Sequence, residues 1–150
     1  MSLVALPTLI FPTYGARIDN SGPTLKIFDE VRKKYVALTP EEWVRQHCLH
    51  WLVSRGYPLG RASVERTIDK GGMRYDLMWV TAELAPYLLV ECKAPDVAVS
   101  VETLRQTSWY NLWLKAPFVL LTNGRSAYCA SLNSDGTLDL LNDIPEYPGP

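Results

Sequence analysis

The segment YLLVECK, residues 87–93, constrains the fold more than any other part of this sequence. A short, continuous apolar run is typical of a strand buried in a sheet, yet Glu91 and Lys93 stand at its end. Because side chains alternate between the two faces of a strand, Glu91 and Lys93 share one face, while Val90 and Cys92 pack on the other. The segment therefore predicts a buried strand that presents a carboxylate and an ammonium group at one point.

The elements around this strand alternate between helical and extended patterns. The clearest helix is predicted from Pro40 to Arg55, with Thr39 as N-cap and Glu42 reciprocating the cap. A second helix is predicted within residues 101–117, and strands are predicted in ASVERTI, MRYDLMWV, YLLVECK, FVLLTNG, SAYCASL and LDLL. This order predicts an α/β fold in which helices flank a mixed β-sheet. Residues 1–25, rich in proline and glycine, are expected to form an irregular arm, and residues 26–150 a single domain.

Composition limits the setting. Of the 150 residues, 47% are hydrophobic, which is enough for one core without metal or disulfide staples. The net charge of −1 argues against tight nucleic-acid binding by the isolated chain, so any such surface must be local. Cys48, Cys92 and Cys129 are odd in number and lie in apolar runs, which indicates reduced thiols and a cytoplasmic protein. No stretch approaches the roughly 20 apolar residues of a membrane span, so no membrane partner is expected.

A second buried acid precedes the strand with Glu91 and Lys93. Asp76 lies in the apolar segment YDLMWV, and if the two strands pair, Asp76 and Glu91 converge. Two close carboxylates repel unless a cation separates them, and Mg²⁺ commonly takes one or two carboxylates while leaving room for phosphate and water. The residues alone leave two interpretations open: a magnesium site, in which Mn²⁺ would substitute, or a strand end at which Asp76 forms a salt bridge with Lys93.

The spacing of these residues resembles a known nuclease pattern. Asp76 followed by Glu91, Cys92 and Lys93 on adjacent strands resembles the PD-(D/E)XK nuclease superfamily, with Tyr75 before the first acid instead of proline. The motifs LTPEEWVRQH, GYP, RYDLMWV, VECKAP, RQTSWYN and LLTNG, in this order, are similar to the N-terminal nuclease domain of type I restriction enzyme R subunits over residues 26–130. The chain lacks the G-x-x-x-x-G-K-[ST] phosphate loop of a translocating motor.

The resemblance implies a restriction-endonuclease-like fold and Mg²⁺-dependent hydrolysis of DNA in a restriction or defence system. It implies that Asp76, Glu91 and the carbonyl of Cys92 bind the metal and that Lys93 acts on the attacking water. Gln106 and Tyr110 match the Q-x-x-x-Y element that follows the E-x-K strand in those R subunits. Their i, i+4 spacing puts them on one helix face, so both are expected at the site.

The first helix contributes further candidates. At about 100° per residue, Glu41 projects near the apolar stripe that faces the sheet, whereas Glu42 does not. We therefore expect Glu41 to reach the metal through water, as a helix-borne glutamate does in many relatives. Arg45 projects near the same face and is expected to contact Glu41 or a phosphate. His47 and His50 fall outside this face and are expected at the surface or in a groove.

Partners and the alternative function follow from the same pattern. DNA is the expected substrate, other restriction-system subunits are expected to supply specificity, and a double-strand cut needs two active sites, which a homodimer would provide. Basic residues in the segment RKKY (32–35) and at Arg66, Lys70 and Arg74 are either phosphate contacts or solvated charges. The alternative is a non-cleaving DNA- or partner-binding subunit of a larger restriction or repair complex. Trp109 and Trp113 are expected in the core.

Overall fold

The computed structural model describes residues 6–64, 67–68, 73–108 and 115–149. Within these ranges the helices are α1 (Pro40–Ser54) and α2 (Val101–Ser108), and a 3-10 turn covers Leu59–Arg61. The strands are β1 (Ile18–Asp19), β2 (Lys26–Asp29), β3 (Lys34–Ala37), β4 (Ala62–Val64), β5 (Thr67–Ile68), β6 (Met73–Arg74), β7 (Leu77–Val80), β8 (Pro86–Cys92), β9 (Phe118–Thr122), β10 (Ala127–Leu132) and β11 (Leu138–Leu141).

The strands form a mixed α/β architecture. The central sheet has the order β11-β10-β9-β8-β7-β4, in which β8 and β9 are parallel and the other neighbours antiparallel. A smaller antiparallel sheet joins β1, β2 and β3, and β5 pairs with β6. The predicted class, a mixed sheet with helices, is confirmed for the described residues. No helix in these ranges combines the length and apolar character needed to cross a bilayer.

Apolar side chains cover both faces of the central sheet. Val44, Cys48 and Leu52 of α1 belong to one core cluster together with Val90 and Cys92 of β8. Leu104 of α2 belongs to a second cluster with Leu89 and Leu121, whose side chains alternate with the first set along β8 and β9. The prediction that Val90 and Cys92 pack away from the face of Glu91 is confirmed.

The first helix has the predicted start. It begins at Pro40, and the Thr39 hydroxyl accepts a hydrogen bond from the Glu42 amide at 3.0 Å, as expected of an N-cap. It ends at Ser54, with Arg55 as the C-cap. The reciprocal capping expected of Glu42 is wrong, because its carboxylate instead accepts hydrogen bonds from Arg45 and Gln46 one turn further along.

The N-terminal segment packs more tightly than an arm. Leu9 and Phe11 are buried in the core, and β1 lies within the region expected to be irregular. The Ile10 amide donates to the carbonyl of Gly124 at 2.7 Å. Gly124 has a φ of +81°, and a Cβ there would lie 2.7 Å from the Leu9 side chain. This contact therefore requires glycine, and it fixes the segment against the sheet.

We expect core and edge leucines to differ sharply in their effect on stability. Leu88 in β8 is fully buried, so Leu88→Ala should lower the free energy of unfolding by about 2–5 kcal/mol. Leu140 in the edge strand β11 is 54% exposed, so Leu140→Ala should change it by less than about 0.5 kcal/mol. Urea unfolding followed by circular dichroism measures both values. Similar losses in the two variants would contradict this placement of the core.

Candidate active site

Glu91 and Lys93 lie close together at the end of β8, and Asp76 is hydrogen-bonded to the same strand end. Leu77 pairs with Val90, so Asp76 directly precedes the paired part of β7. The Cys92 amide donates to Oδ2 of Asp76 at 2.6 Å. Lys93 Nζ lies 3.3 Å from Oε1 of Glu91. Asp76 was expected inside a strand but lies in the bend before β7, where its side chain makes the bond to β8.

Asp76 is a buried carboxylate. The residue is 9% exposed, and its Oδ1 lies 3.3 Å from Nη2 of Arg45. Burial raises the pKa of Asp76 to about 6, and the Cys92 amide and the Arg45 guanidinium limit this increase. The cation that contacts Asp76 comes from α1 rather than from Lys93, which the simple salt-bridge interpretation had assigned to it. Negative charge at Asp76 is therefore costly, and a further nearby cation would stabilise it.

Arg45 gathers three carboxylates around one guanidinium. It is 2% exposed. Nη1 donates to Glu42 at 3.0 Å, and Nη2 reaches Asp76 at 3.3 Å and Glu41 at 3.5 Å. The prediction that Arg45 projects inward and contacts Glu41 is confirmed. Helix α1 thus contributes a buried positive charge directly beside the acid that begins β7.

The two glutamates of α1 exchange the positions expected from the sequence. Glu42 is 6% exposed, whereas the Glu41 side chain is 44% exposed. The helical projection failed because α1 is buried on two sides. The sheet covers one, and the N-terminal segment covers the other, where Arg32 lies 3.3 Å from Glu42. A role of Glu41 at a metal through water stays a prediction.

His47 is likewise buried rather than exposed. It is 4% exposed, and its Nδ1 lies 2.8 Å from the carbonyl oxygen of Trp43. The Tyr14 ring stacks on His50 with centroids 3.8 Å apart and meets His47 edge-on. Burial lowers the pKa of both histidines. They therefore serve as packing residues for the N-terminal segment, and the expected surface position of His47 is wrong.

A chain of ion pairs extends from the site, and sequence reasoning missed it. Asp29 is fully buried and accepts hydrogen bonds from Arg32, which contacts Glu42, which in turn contacts Arg45. The sequence does contain a signal for the contacts within α1, because Glu42 precedes Arg45 by three residues and Gln46 by four, the spacings at which helical side chains meet. No local spacing links Arg32 to Glu42, since ten residues and a strand separate them.

The predicted Q-x-x-x-Y pair is only partly visible. Gln106 is exposed on α2. Tyr110 lies outside the described residues, as do Arg66, Lys70, Trp109 and Trp113, and the side chain of Arg74 is not described either. The expected roles of Gln106 and Tyr110 at the site therefore stay predictions.

The donor set at the strand ends suits a hard divalent cation. No group of three or more His, Cys, Asp and Glu side chains in the described ranges is close enough to hold a metal ion. Mg²⁺ commonly takes only one or two carboxylates, because water and phosphate complete its shell, and Asp76 and Glu91 are carboxylates of the kind it binds. A hydrogen bond with Cys48 and burial raise the pKa of the Cys92 thiol. The Cys92 side chain is therefore a neutral thiol rather than a thiolate ligand.

An open cleft gives solvent access to this region. Its volume is about 480 Å³. Ala94, which directly follows Lys93, lines one part of the cleft. The other lining residues come from the segment that runs from the β2–β3 turn to α1 and include Arg32, Thr39, Glu41, Glu42 and Arg45. Water and small ions can therefore approach the acids of α1 from outside.

A family model matches most of the sequence. The model of the family described as "Type I restriction enzyme R protein N terminus" matches residues 40–145, which is more than half of the chain. The matched range contains Asp76, Glu91 and Lys93. No curated protein matches the chain.

The buried state of Asp76 predicts a pH-dependent difference between the wild type and Asp76→Asn. Above the ordinary value of 3.8 and below about 6, the unfolded chain ionises this group while the folded chain keeps it protonated. Stability contributed by the wild-type carboxyl is thus present at low pH and is lost as the pH rises to about 6. Between pH 4 and pH 7, the unfolding free energy of the wild type should therefore fall by on the order of 1–3 kcal/mol relative to that of Asp76→Asn.

Urea titrations in EDTA measure this difference. Asp139→Asn, at an exposed position in β11, is the matched control and should show a smaller change over the same range. A difference between Asp76→Asn and wild type that stays constant with pH would mean that burial does not raise the pKa of Asp76.

Proposed function

The chain belongs to the family of type I restriction enzyme R protein N-terminal domains, and from this premise we propose that it is a metal-dependent DNA endonuclease of a restriction or defence system. The observation that carries the proposal is that the end of β8 engages each of the three candidate residues: the Cys92 amide donates to Asp76, and Lys93 contacts Glu91. We also propose that the central sheet is a restriction-endonuclease-like sheet. Its mixed strand order, with α1 and α2 on opposite faces, supports this.

Asp76 and Glu91, with the carbonyl of Cys92, would hold Mg²⁺, and Mn²⁺ would substitute for it. Bound there, the ion would polarise the scissile phosphate and lower the pKa of the attacking water. Glu41 would act through an intervening water. Its partly exposed side chain in the open cleft suits an indirect contact better than a direct one.

Lys93 acts on the water and the phosphate. The ammonium group has three N–H donors, and the contact with Glu91 uses one of them. Because the side chain is 36% exposed, the others can orient the attacking water and donate to phosphate oxygens as negative charge grows there. The water oxygen would bond to phosphorus as the bond to the leaving 3′ oxygen breaks. The attacking water would release its proton to bulk solvent, the 3′ oxygen would take a proton from solvent and leave as a hydroxyl, and the product would keep a 5′-phosphate. Gln106 would position the water or a ligand carboxylate, and Tyr110 would contact the DNA backbone.

The low net charge of the chain favours a protein that acts together with other subunits. The net charge of −1 gives little long-range attraction to DNA. We therefore propose that other subunits of a restriction system, in the cytoplasm, bring the chain to DNA and supply sequence specificity. A homodimer would provide the second active site that a double-strand cut needs.

The expected activity is nicking of supercoiled plasmid in Mn²⁺. Lys93→Ala should reduce the rate at least about 100-fold, because it removes the group that orients the water and stabilises the charge growing on the phosphate oxygens. Asp76→Asn should reduce it similarly and also weaken Mn²⁺ binding. Gel electrophoresis of the plasmid forms over time measures the rates.

The matched control is Lys26→Ala, which removes an exposed lysine of β2 and should leave the rate unchanged. Equal nicking by wild type and Lys93→Ala would contradict the proposal, since the activity would then not depend on this site. Metal binding without cleavage by any variant would support the alternative, a non-cleaving binding subunit.

A further inference from the structure

We propose that Arg45 is a positioning residue that takes the place of the metal ion in the metal-free protein. Its guanidinium neutralises Asp76 and Glu41, and Nη2 releases them when a divalent cation binds. This inference rests on the proposed metal site at Asp76.

The two terminal nitrogens of Arg45 contact different acids. Nη1 donates to Glu42 at 3.0 Å. Nη2 is shared between Asp76 at 3.3 Å and Glu41 at 3.5 Å. The two acids that share Nη2 are also two of the residues proposed to serve the metal. One nitrogen can therefore withdraw from them while the other stays bound.

Glu42, the partner of Nη1, is held in place by contacts that do not involve Asp76. The Glu42 carboxylate accepts a hydrogen bond from Gln46 at 2.9 Å and contacts Arg32 at 3.3 Å. Arg32 is itself bound to the fully buried Asp29. Because these contacts fix Glu42, the charge of Arg45 stays paired after Nη2 lets go. This avoids the large cost of an unpaired buried charge.

A buried positive charge at this position has two opposite effects. It stabilises the metal-free fold, because Asp76 would otherwise be a buried anion held only by the Cys92 amide and its more distant neighbours. It also reduces the negative potential that attracts a divalent ion, since like charges repel within a few ångströms. Arg45 should therefore weaken metal binding, whereas a residue with a purely structural role would leave the affinity of the folded protein unchanged.

Charge removal at Arg45 separates these roles. In Arg45→Gln, we expect the melting temperature in EDTA to fall and Mn²⁺ to bind at least 5-fold more tightly than in wild type. Arg45→Lys keeps the charge and should bind Mn²⁺ within about twofold of wild type. Arg55, the C-cap of α1, lies about 15 Å from Arg45 along the helix axis and forms a salt bridge with Asp143. The matched control Arg55→Gln should therefore leave the Mn²⁺ affinity unchanged. Electron paramagnetic resonance of free Mn²⁺ gives the affinities of the full chain.

A second pair of variants covers a failure of Arg45→Gln to fold. Glu42→Gln with Arg45→Gln removes both charges of the anchoring pair, which costs less than leaving one of them buried alone. The double variant should bind Mn²⁺ more tightly than Glu42→Gln alone. Equal or weaker binding in the folded variants would overturn the inference and leave Arg45 as a support of the fold.

The outcome for Asp76→Asn distinguishes this failure from failure of the proposed function. If wild type and Asp76→Asn bind Mn²⁺ equally, no metal site exists at Asp76, and both proposals are wrong. If Asp76→Asn abolishes binding while the Arg45 variants match wild type, the metal site stands and only the role of Arg45 is wrong.

Discussion

The hydrogen bond from the Cys92 amide to Asp76 fixes the geometry on which the rest of the site depends. It joins the start of β7 to the end of β8 over 2.6 Å and keeps a carboxylate at a position where burial opposes its charge. The other carboxylate oxygen faces Arg45. With both oxygens directed by buried donors, Asp76 has one defined orientation. A carboxylate of this kind is organised in advance for a cation.

The N-terminal segment makes this burial possible. Residues 6–39 cover the side of α1 that the sheet does not, and they bring Asp29 and Arg32 to Glu42. Charges buried in this way are tolerated only when each has partners, and here each link of the chain from Asp29 to Asp76 is paired with the next. The segment that the sequence indicates to be an arm therefore packs against α1 and supplies partners for its buried charges.

The sequence predicted the parts of the structure that depend on local pattern. The start of α1, the face on which Val90 packs and the pairing of Glu91 with Lys93 follow from N-cap chemistry and strand alternation, both of which act over a few residues. The burial of Glu42 and His47 could not be predicted in this way, because it depends on a second layer that reaches α1 from distant positions. Projecting the residues of a helix around its axis identifies one apolar face, and it misassigns residues when the helix is buried on two faces. Gln106 and Tyr110 rest on resemblance, and their placement at the site stays a prediction.

The central claim is that Asp76 and Glu91 hold one divalent cation between them. A crystal structure of the protein soaked with Mn²⁺, with anomalous scattering to locate the metal, tests it most directly. The account predicts a peak in coordination contact with a carboxylate oxygen of each residue and with Nη2 of Arg45 withdrawn from Asp76. A fully occupied metal elsewhere, or Asp76 still bound to Arg45 at saturating Mn²⁺ with no metal beside it, would contradict the account.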